Sequence, residues 1–202
     1  MALLPLFDSG ETVLADDARG RIVYIPDVVS ARDAGAWFVE LREAVAWKAE
    51  RRQMYDREVD VPRLTGHFRL PPHEPAEKVP AAILQAAQQV IPRTGVPFNS
   101  VGLNFYRDGN DSVAPHNDHL NSIVEGHPIG LLSLGSARRM TIRAKQPPKR
   151  VIHVDLAPGS LLMMSYETQL HYTHGIPKTK VPVGERISLA FRVKGEGADF
   201  YR

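Results

Sequence analysis

Residues 99–194 decide the fold class, because they consist of short β-type runs separated by Gly, Pro, Asn and Asp. The runs are NSVGLNFYRDG (99–109), IGLLSLG (129–135), RRMTIRA (138–144), RVIHVDL (150–156), GSLLMMS (159–165), THGIP (173–177) and RISLAFRVK (186–194). Many short strands with turn residues between them are typical of antiparallel folds built from two packed sheets. The pattern therefore predicts a double-sheet, jelly-roll type of β fold over 99–194.

The first half of the chain adds helices to these strands. Thr12–Leu14 and Arg21–Ile25 have β character, and Ser30 is a candidate N-cap for a helix that runs to about Ala46. A second helix is predicted over Ala76–Val90, with prolines before and after it. The fold class predicted is mainly β with flanking helices (α+β), in which two N-terminal helices buttress one face of the sheet pair.

Length and composition favour a single globular domain over 1–202. The 202 residues are 43% apolar and 24% charged, which is ordinary for such domains. No stretch approaches the roughly 18 to 20 apolar residues that cross a bilayer, and the N-terminal apolar run has no basic flank of the kind that precedes a signal peptide core. We therefore expect a cytoplasmic protein with no membrane partner, and a monomer.

Charge is informative in one segment of the chain. The 25 basic and 23 acidic residues leave a formal charge of +2, which does not by itself indicate a nucleic-acid partner. Residues 136–154, however, hold six Lys or Arg and no Asp or Glu. Such a segment could face phosphate groups, or it could be a solvated hairpin whose charges keep an exposed strand soluble. Clustering alone does not decide between the two.

A candidate metal site uses histidine and carboxylate, because the chain has no cysteine. His116 and Asp118 in PHNDH (115–119) are two residues apart, so on an extended backbone both side chains point the same way. His174 is a suitable third ligand, since the glycine and proline after it mark a strand end. Two histidines and one carboxylate are the ligands of non-haem Fe(II) oxygenases. The alternative is that these are surface loop residues that share a common spacing by chance.

A second constellation lies in RISLAFR (186–192). Arg186 and Arg192 share one face of this predicted strand with Ser188, whereas the other face is apolar. Arginines on the inner side of a β core require an anionic partner, and two of them would suit a small dicarboxylate. The alternative is an edge strand with both arginines in solvent.

Taken together, these residues resemble the AlkB-type branch of the Fe(II)/2-oxoglutarate-dependent dioxygenases, the alkylated DNA/RNA repair family. The resemblance is carried by Asn104-x-Tyr106, His116-x-Asp118, SLG (133–135), His174 and Arg186-x5-Arg192. PRLT (62–65) followed by Phe68 is similar to the strand that precedes the substrate lid of the family. The resemblance covers roughly residues 20–194, and it implies that 1–98 hold the helices and lid and 99–194 the β-helix core.

The resemblance implies a double-stranded β-helix in which Fe(II) is bound by His116, Asp118 and His174. It also implies 2-oxoglutarate and O2 as cosubstrates, with Arg192 near the C1 carboxylate of 2-oxoglutarate. The residues implied at or beside the remainder of 2-oxoglutarate are Asn104, Tyr106, Arg186 and Ser188.

The activity implied is oxidative N-demethylation of alkylated bases in DNA or RNA, with release of formaldehyde, succinate and CO2. Such enzymes act on a single strand or on a base that has been flipped out of its stack. One alternative is the same oxygenase chemistry on a protein side chain, a lipid or a small metabolite. Another is a binding module that has kept the scaffold without turnover.

Six residues are candidates for substrate binding. Leu120 stands where many base-demethylating members carry an acidic residue, and leucine cannot accept a hydrogen bond from a base. Phe68 could stack on a flipped base or pack in the core. The remaining candidates are Arg63, His119, Arg138 and Arg139.

Overall fold

The computed structural model describes residues 10–54, 57–73 and 78–195, and its side chains are described outside 50–60. The strands are β1 Thr12–Asp17, β2 Gly20–Ile25, β3 Lys48–Met54, β4 Arg57–Arg69, β5 Ser100–Tyr106, β6 Val113–His116, β7 Ile129–Gly135, β8 Arg138–Ala144, β9 Val151–Leu156, β10 Leu161–Met164, β11 Tyr172–Ile176 and β12 Arg186–Arg192. The helices are α1 Ala31–Ala44, α2 Ala81–Thr94 and α3 Tyr166–His171, with a 3-10 turn at Leu120–Ser122.

The strands form two antiparallel sheets. The major sheet has the order β1-β2-β10-β7-β12-β5-β4-β3, and the minor sheet has the order β6-β11-β8-β9. Each β-type run recognised in 99–194 coincides with most or all of a strand, so the prediction of a mainly β, double-sheet fold with flanking helices is confirmed. None of the helices in the described ranges is long and apolar enough to cross a membrane.

Two apolar clusters give the fold its layers. One cluster joins α1 and α2 to the outer face of the major sheet, and the other fills the space between the sheets. Side chains of β12 alternate between them: Ile187, Leu189 and Phe191 pack toward the helices, while Ala190 faces the inter-sheet cluster. The polar residues that share the face of Ala190 therefore point into the space between the sheets.

The first helix begins as predicted. The hydroxyl of Ser30 accepts a hydrogen bond from the Asp33 backbone N–H at 3.1 Å, which caps α1. Its buried face is formed by Ala34, Trp37 and Leu41.

The second helix extends further than predicted at its C-terminus. It continues through Pro92 to Thr94 and ends at Gly95, which has a φ of 67°. A proline in the last turn removes only one intrahelical hydrogen bond, and the Gly95 N–H closes the helix on Ile91. The predicted start at Ala76 lies outside the described residues, and the helix of the structure begins at Ala81.

The sequence prediction lacked β3, the short strand β6 and the helix α3, and it indicated β4 only through the resemblance of PRLT (62–65) to a family strand. The long β3–β4 hairpin extends the major sheet at one edge, where β4 pairs with β5. The short helix α3 lies between β10 and β11 and so joins the two sheets.

A carboxylate from α1 caps the second helix. Pro80 precedes α2 and makes no side-chain capping bond, whereas the Glu40 carboxylate accepts a hydrogen bond from the Ala82 backbone N–H at 2.9 Å.

We expect Glu40→Ala to lower the free energy of unfolding by about 1 kcal/mol, because it removes both this cap and a negative charge at the helix N-terminus. Urea unfolding checks this. Glu43→Ala on the same helix is the matched control, with an expected change below about 0.5 kcal/mol, and equal effects of the two substitutions would contradict the capping role.

Candidate active site

Two histidines meet across adjacent strands of the minor sheet. His116 is the last residue of β6, and it lies directly opposite His174 of β11, with 4.4 Å between the ring centroids. The Nδ1 of His116 is 3.0 Å from the carbonyl oxygen of Ala114, which accepts a hydrogen bond from it. That bond leaves Nε2 of His116 as the atom available to a metal ion.

Asp118 completes the group two residues after β6. Its Oδ1 lies 3.8 Å from Nε2 of His116 and 3.9 Å from Nε2 of His174. The three candidate ligand atoms all fall within 4.8 Å of one another, and they form the metal-ligand cluster identified among the described residues. The structure thus brings together the three residues predicted as iron ligands.

The charge state of the three residues suits a divalent cation. Burial, the largest single effect, would raise the pKa of Asp118, but the charges of Arg192 and His174 and the hydrogen bond from Arg192 together outweigh it, and the pKa falls to about 2. Burial, reinforced by the neighbouring His116, lowers the pKa of His174 to about 4. Burial also lowers the pKa of His116, despite the opposing Ala114 carbonyl. At neutral pH the set is therefore one carboxylate and two neutral imidazoles, the forms that bind metal.

Asp118 is held on two sides. Its Oδ2 accepts a hydrogen bond of 2.6 Å from Nε of Arg192. Its backbone N–H donates to Oε1 of Gln169 at 3.0 Å, and Gln169 is itself buried on α3. Gln169 was not among the predicted site residues. Its position depends on α3, which the sequence prediction lacked.

The strand β12 brings both arginines to the same interior. It is a central strand between β5 and β7, so the alternative of a solvent-facing edge strand is wrong. Arg186 is fully buried, and its Nη2 donates to the Ser133 hydroxyl at 2.9 Å. Among the described residues, Nε and Nη1 of Arg186 have no hydrogen-bond partner. Two unpaired donors on a buried cation are the complement of an anionic ligand.

The other predicted cosubstrate residues surround Arg186. The Tyr106 ring lies against the Arg186 guanidinium, with 5.1 Å from Cζ to the ring centroid. Ser188 is buried two residues along the strand, opposite Asn104 in the register with β5. The Asn104 Oδ1 accepts a hydrogen bond of 2.6 Å from Nε of Arg63. The ligands His116, Asp118 and His174 fit a divalent metal ion, and the unpaired hydrogen-bond donors of Arg186 fit a small dicarboxylate beside it.

The inner face of β4 adds a residue that was not predicted. His67 lies opposite Gly102 of β5, and its Nε2 is 3.2 Å from the Ser100 hydroxyl. A Cβ at Gly102 would lie 3.1 Å from Nη1 of Arg192 and 3.7 Å from Nδ1 of His67, so the glycine leaves room for both. His67 could have been predicted from the sequence, because it lies four residues after Arg63 and therefore on the same face of the strand.

The candidate substrate residues occupy different environments. Phe68 packs against the cluster beneath the helices, opposite Val101 in the strand register. Leu120 starts the 3-10 turn after the metal-binding loop and is half-buried, while the neighbouring His119 is exposed. Arg63 contacts Asn104 and so lies at the site.

Arg138 and Arg139 point to opposite sides of β8. Arg138 is buried and donates to three backbone carbonyls, so its guanidinium is not on the surface. Arg139 is exposed and forms a bidentate ion pair with Asp155, at 2.8 and 2.9 Å.

Other basic residues of segment 136–154 also contact the protein itself. The ammonium group of Lys145 donates to the Gln169 carbonyl, and Arg150 donates to the Leu14 carbonyl. These contacts favour the hairpin interpretation over a continuous phosphate-facing strip.

Comparisons with known proteins agree with this geometry. A family model described as the 2OG-Fe(II) oxygenase superfamily matches residues 21–192. The chain therefore belongs to the 2OG-Fe(II) oxygenase superfamily, and the AlkB-type resemblance predicted from the sequence is confirmed. Fe(II), 2-oxoglutarate and O2 are accordingly its metal and cosubstrates.

Curated relatives belong to the same branch. The chain is 30% identical to the bovine alpha-ketoglutarate-dependent dioxygenase alkB homolog 3 over 197 residues, covering 90% of this chain and 69% of that protein. It is 38% identical to the human DNA oxidative demethylase ALKBH2 over 106 residues, covering 49% of this chain and 41% of that protein. The chain thus matches about two fifths of the length of the ALKBH2 relatives.

Solved structures share the fold. OsALKBH1 has a TM-score of 0.54 at 15% identity, covering 85% of this chain and 97% of that chain. A Pseudomonas putida prolyl-4-hydroxylase has a TM-score of 0.52 at 14% identity, covering 86% and 93% of the two chains. At these identities the likeness shows the fold alone.

Removal of the carboxylate tests the metal assignment. We expect Asp118→Ala to lower Mn(II) affinity, measured by calorimetry, by about 100-fold or more, since loss of even an outer-shell contact costs 10- to 100-fold. Iron-dependent turnover should be lost while the circular dichroism spectrum is kept. Asp155→Ala, which removes an exposed carboxylate, is the control and should bind Mn(II) normally. Wild-type Mn(II) affinity of Asp118→Ala would exclude Asp118 as a ligand.

The depressed pKa of His174 makes the stability of the metal-free protein depend on pH. Between its ordinary pKa of 6.5 and the folded value of about 4, the unfolded chain binds a proton that the folded chain does not. The stability that neutral His174 contributes is therefore present above pH 6.5 and is lost as the pH falls through 4. Urea unfolding in EDTA at a series of pH values measures the slope. His174→Gln should flatten it and exposed His153→Gln should not, whereas equal slopes for wild type and His174→Gln would contradict the assignment.

Proposed function

We propose that this chain catalyses oxidative N-demethylation of alkylated bases in DNA or RNA. The net reaction consumes O2, 2-oxoglutarate and an N-methyl base. It yields succinate, CO2 and an N-hydroxymethyl base, which breaks its C–N bond to release formaldehyde and the unmodified base. The relatives named DNA oxidative demethylase support this substrate class.

One observation carries the proposal. The ion pair between Arg192 and Asp118 places the metal ligands next to β12. The same strand carries Arg186, whose unpaired donors suit a carboxylate. An oxygenase that consumes 2-oxoglutarate requires this juxtaposition, because the cosubstrate must reach the metal and the pocket at once. The AlkB-type relationship then indicates which substrates to test first.

Each side chain has a defined task in this proposal. Bound iron and 2-oxoglutarate supply the oxidising chemistry. The Asp118 carboxylate and the neutral imidazoles of His116 and His174 would hold the metal. The hydrogen bond to Gln169 keeps the Asp118 backbone in place. Arg186 receives the C5 carboxylate of 2-oxoglutarate through its two unpaired donors.

Positive charge near the metal ligands supports an anionic substrate. Burial is the main cause of the lowered pKa of His116, and Arg63 and Arg192 lower it further, against the larger opposing effects of the Ala114 carbonyl and Asp118. The His116 side chain is 43% exposed, so this charged region opens to solvent. Phosphate groups are attracted to such a region.

A second candidate keeps the chemistry and changes the substrate to a protein side chain, a lipid or a metabolite. Two observations favour it. Leu120 replaces a common base-reading acid, and Arg138, Lys145 and Arg150 are bound to the protein's own carbonyls. Neither observation argues against the oxygenase reaction itself.

The test follows two products at once. Protein loaded without oxygen with Fe(II) and 2-oxoglutarate is exposed to O2 with N-methylated or unmethylated oligonucleotides, single- and double-stranded. We expect formaldehyde and succinate in equal amounts, with formaldehyde only from methylated strands. Leu120→Asp should increase turnover of 1-methyladenine, whose exocyclic amino group can donate to a carboxylate, more than that of 3-methylthymine, whose exocyclic oxygens can only accept.

Controls separate the substrate from the reaction. Asp118→Ala should release neither product, which ties both products to the metal site. Succinate without formaldehyde, at the same rate with every oligonucleotide, would overturn the nucleic-acid substrate and retain the oxygenase. Absence of both products from the wild type with every substrate class would overturn the enzymatic proposal.

A further inference from the structure

The aromatic ring of Tyr106 lies between two buried guanidinium groups. The Cζ of Arg186 is 5.1 Å from the ring centroid, and the Cζ of Arg138 is 5.6 Å from it. Arg186 is fully buried and Arg138 is 3% exposed. Cation–aromatic contacts of this kind are strongest when water is excluded. Tyr106 is thus fixed by contacts with two cations, only one of which lies on β12.

The hydrogen bonds of Arg138 go to groups that carry no net charge. Its hydrogen bonds go to the backbone carbonyls of Asp108, Asp111 and Pro177, at 2.8 to 2.9 Å. Carbonyl groups satisfy the donors but carry no net charge. The nearby Asp111 carboxylate is held in a bidentate pair by Arg107, at 2.8 and 2.9 Å. Asp111 therefore shares its charge between Arg107 and Arg138, and Asp108, the other carboxylate that acts on Arg138, is exposed and screened by solvent.

Arg186 is within the electrostatic range of Arg138. Burial lowers the pKa of Arg186 and the positive charge of Arg138 lowers it further, whereas Tyr106 opposes both. The hydrogen bonds of Arg186 go to neutral hydroxyl groups, those of Ser133 and Tyr106. An anion placed against the unpaired Nε and Nη1 of Arg186 would consequently be attracted by two buried positive charges in a low-dielectric environment.

We propose that Arg138 is a positioning residue that makes the cosubstrate pocket selective for a 2-oxo acid with a second carboxylate. It orients the Tyr106 ring and adds a second positive charge behind it, so that 2-oxoglutarate is bound in preference to a 2-oxo monocarboxylate. This inference rests on the proposed placement of the C5 carboxylate at Arg186. It moves Arg138 from the predicted nucleic-acid contacts to the cosubstrate pocket.

Binding of two 2-oxo acids separates charge selectivity from general damage. Calorimetry on Mn(II)-loaded protein without oxygen gives the Kd of 2-oxoglutarate and of 2-oxobutyrate, which lacks the second carboxylate. We expect Arg138→Met to raise the Kd of 2-oxoglutarate about tenfold and to leave that of 2-oxobutyrate within twofold. Arg138→Lys restores the charge and should recover most of the preference for 2-oxoglutarate. If Arg138→Met does not fold, Arg138→Gln keeps an amide donor for the carbonyls and is held to the same expectation.

The neighbouring arginine is the matched control. Arg139→Met removes an exposed guanidinium from the same strand and should leave both Kd values unchanged. Equal weakening of 2-oxoglutarate and 2-oxobutyrate by Arg138→Met would show a merely structural role and overturn the inference. An unchanged 2-oxoglutarate Kd would also overturn it. Arg186→Met tests the placement separately: if it keeps the wild-type preference for 2-oxoglutarate, the proposed C5 carboxylate site is wrong, whatever Arg138 does.

Discussion

The orientation of one central strand, β12, determines most of the site. Its apolar residues must pack beneath the helices, and because side chains alternate along a strand, Arg186 and Arg192 are forced into the space between the sheets. Burial of an unpaired guanidinium costs several kcal/mol. Arg192 offsets its own cost by pairing with Asp118, whereas Arg186 keeps two donors without a described partner. An anion bound at Arg186 would therefore pair with a buried positive charge that the described residues leave unpaired.

The same ion pair joins the two sheets at the metal ligands. His116 and His174 belong to neighbouring strands of the minor sheet, whereas Arg192 belongs to the major sheet. Asp118 lies between them, with its carboxylate facing both the histidines and Arg192. The pKa of Asp118 is low because the surrounding positive charges together outweigh the effect of burial. One carboxylate therefore serves both as a candidate metal ligand and as the ion-pair partner of an arginine of β12.

Sequence patterns predicted the parts of the site that depend on local periodicity. Spacing of two residues placed His116 and Asp118 on one side, and alternation in RISLAFR placed both arginines on one face. The sequence could not decide whether that face was buried, because the answer depends on β5 and β7 pairing on either side of β12. Gln169 could not be found either, since its contact with Asp118 spans 51 residues and requires α3. The β3–β4 hairpin contains no clear turn signal in the sequence, so its pairing was not predicted, and only β4 was indicated, by the resemblance of PRLT (62–65) to a family strand.

The basic segment 136–154 shows why charge along a sequence is not charge on a surface. Arg138 and Arg139 are adjacent in the chain, but strand alternation sends the first into the interior and the second into solvent. Counting both toward one phosphate-binding strip ignores this period of two. The interior position has a physical consequence of its own, because a buried charge acts over a longer distance than a solvated one. Leu120 presents the complementary case. The acidic residue that the family resemblance implies at this position is absent, so recognition of the proposed base substrate requires another polar side chain, of which the neighbouring exposed His119 is one.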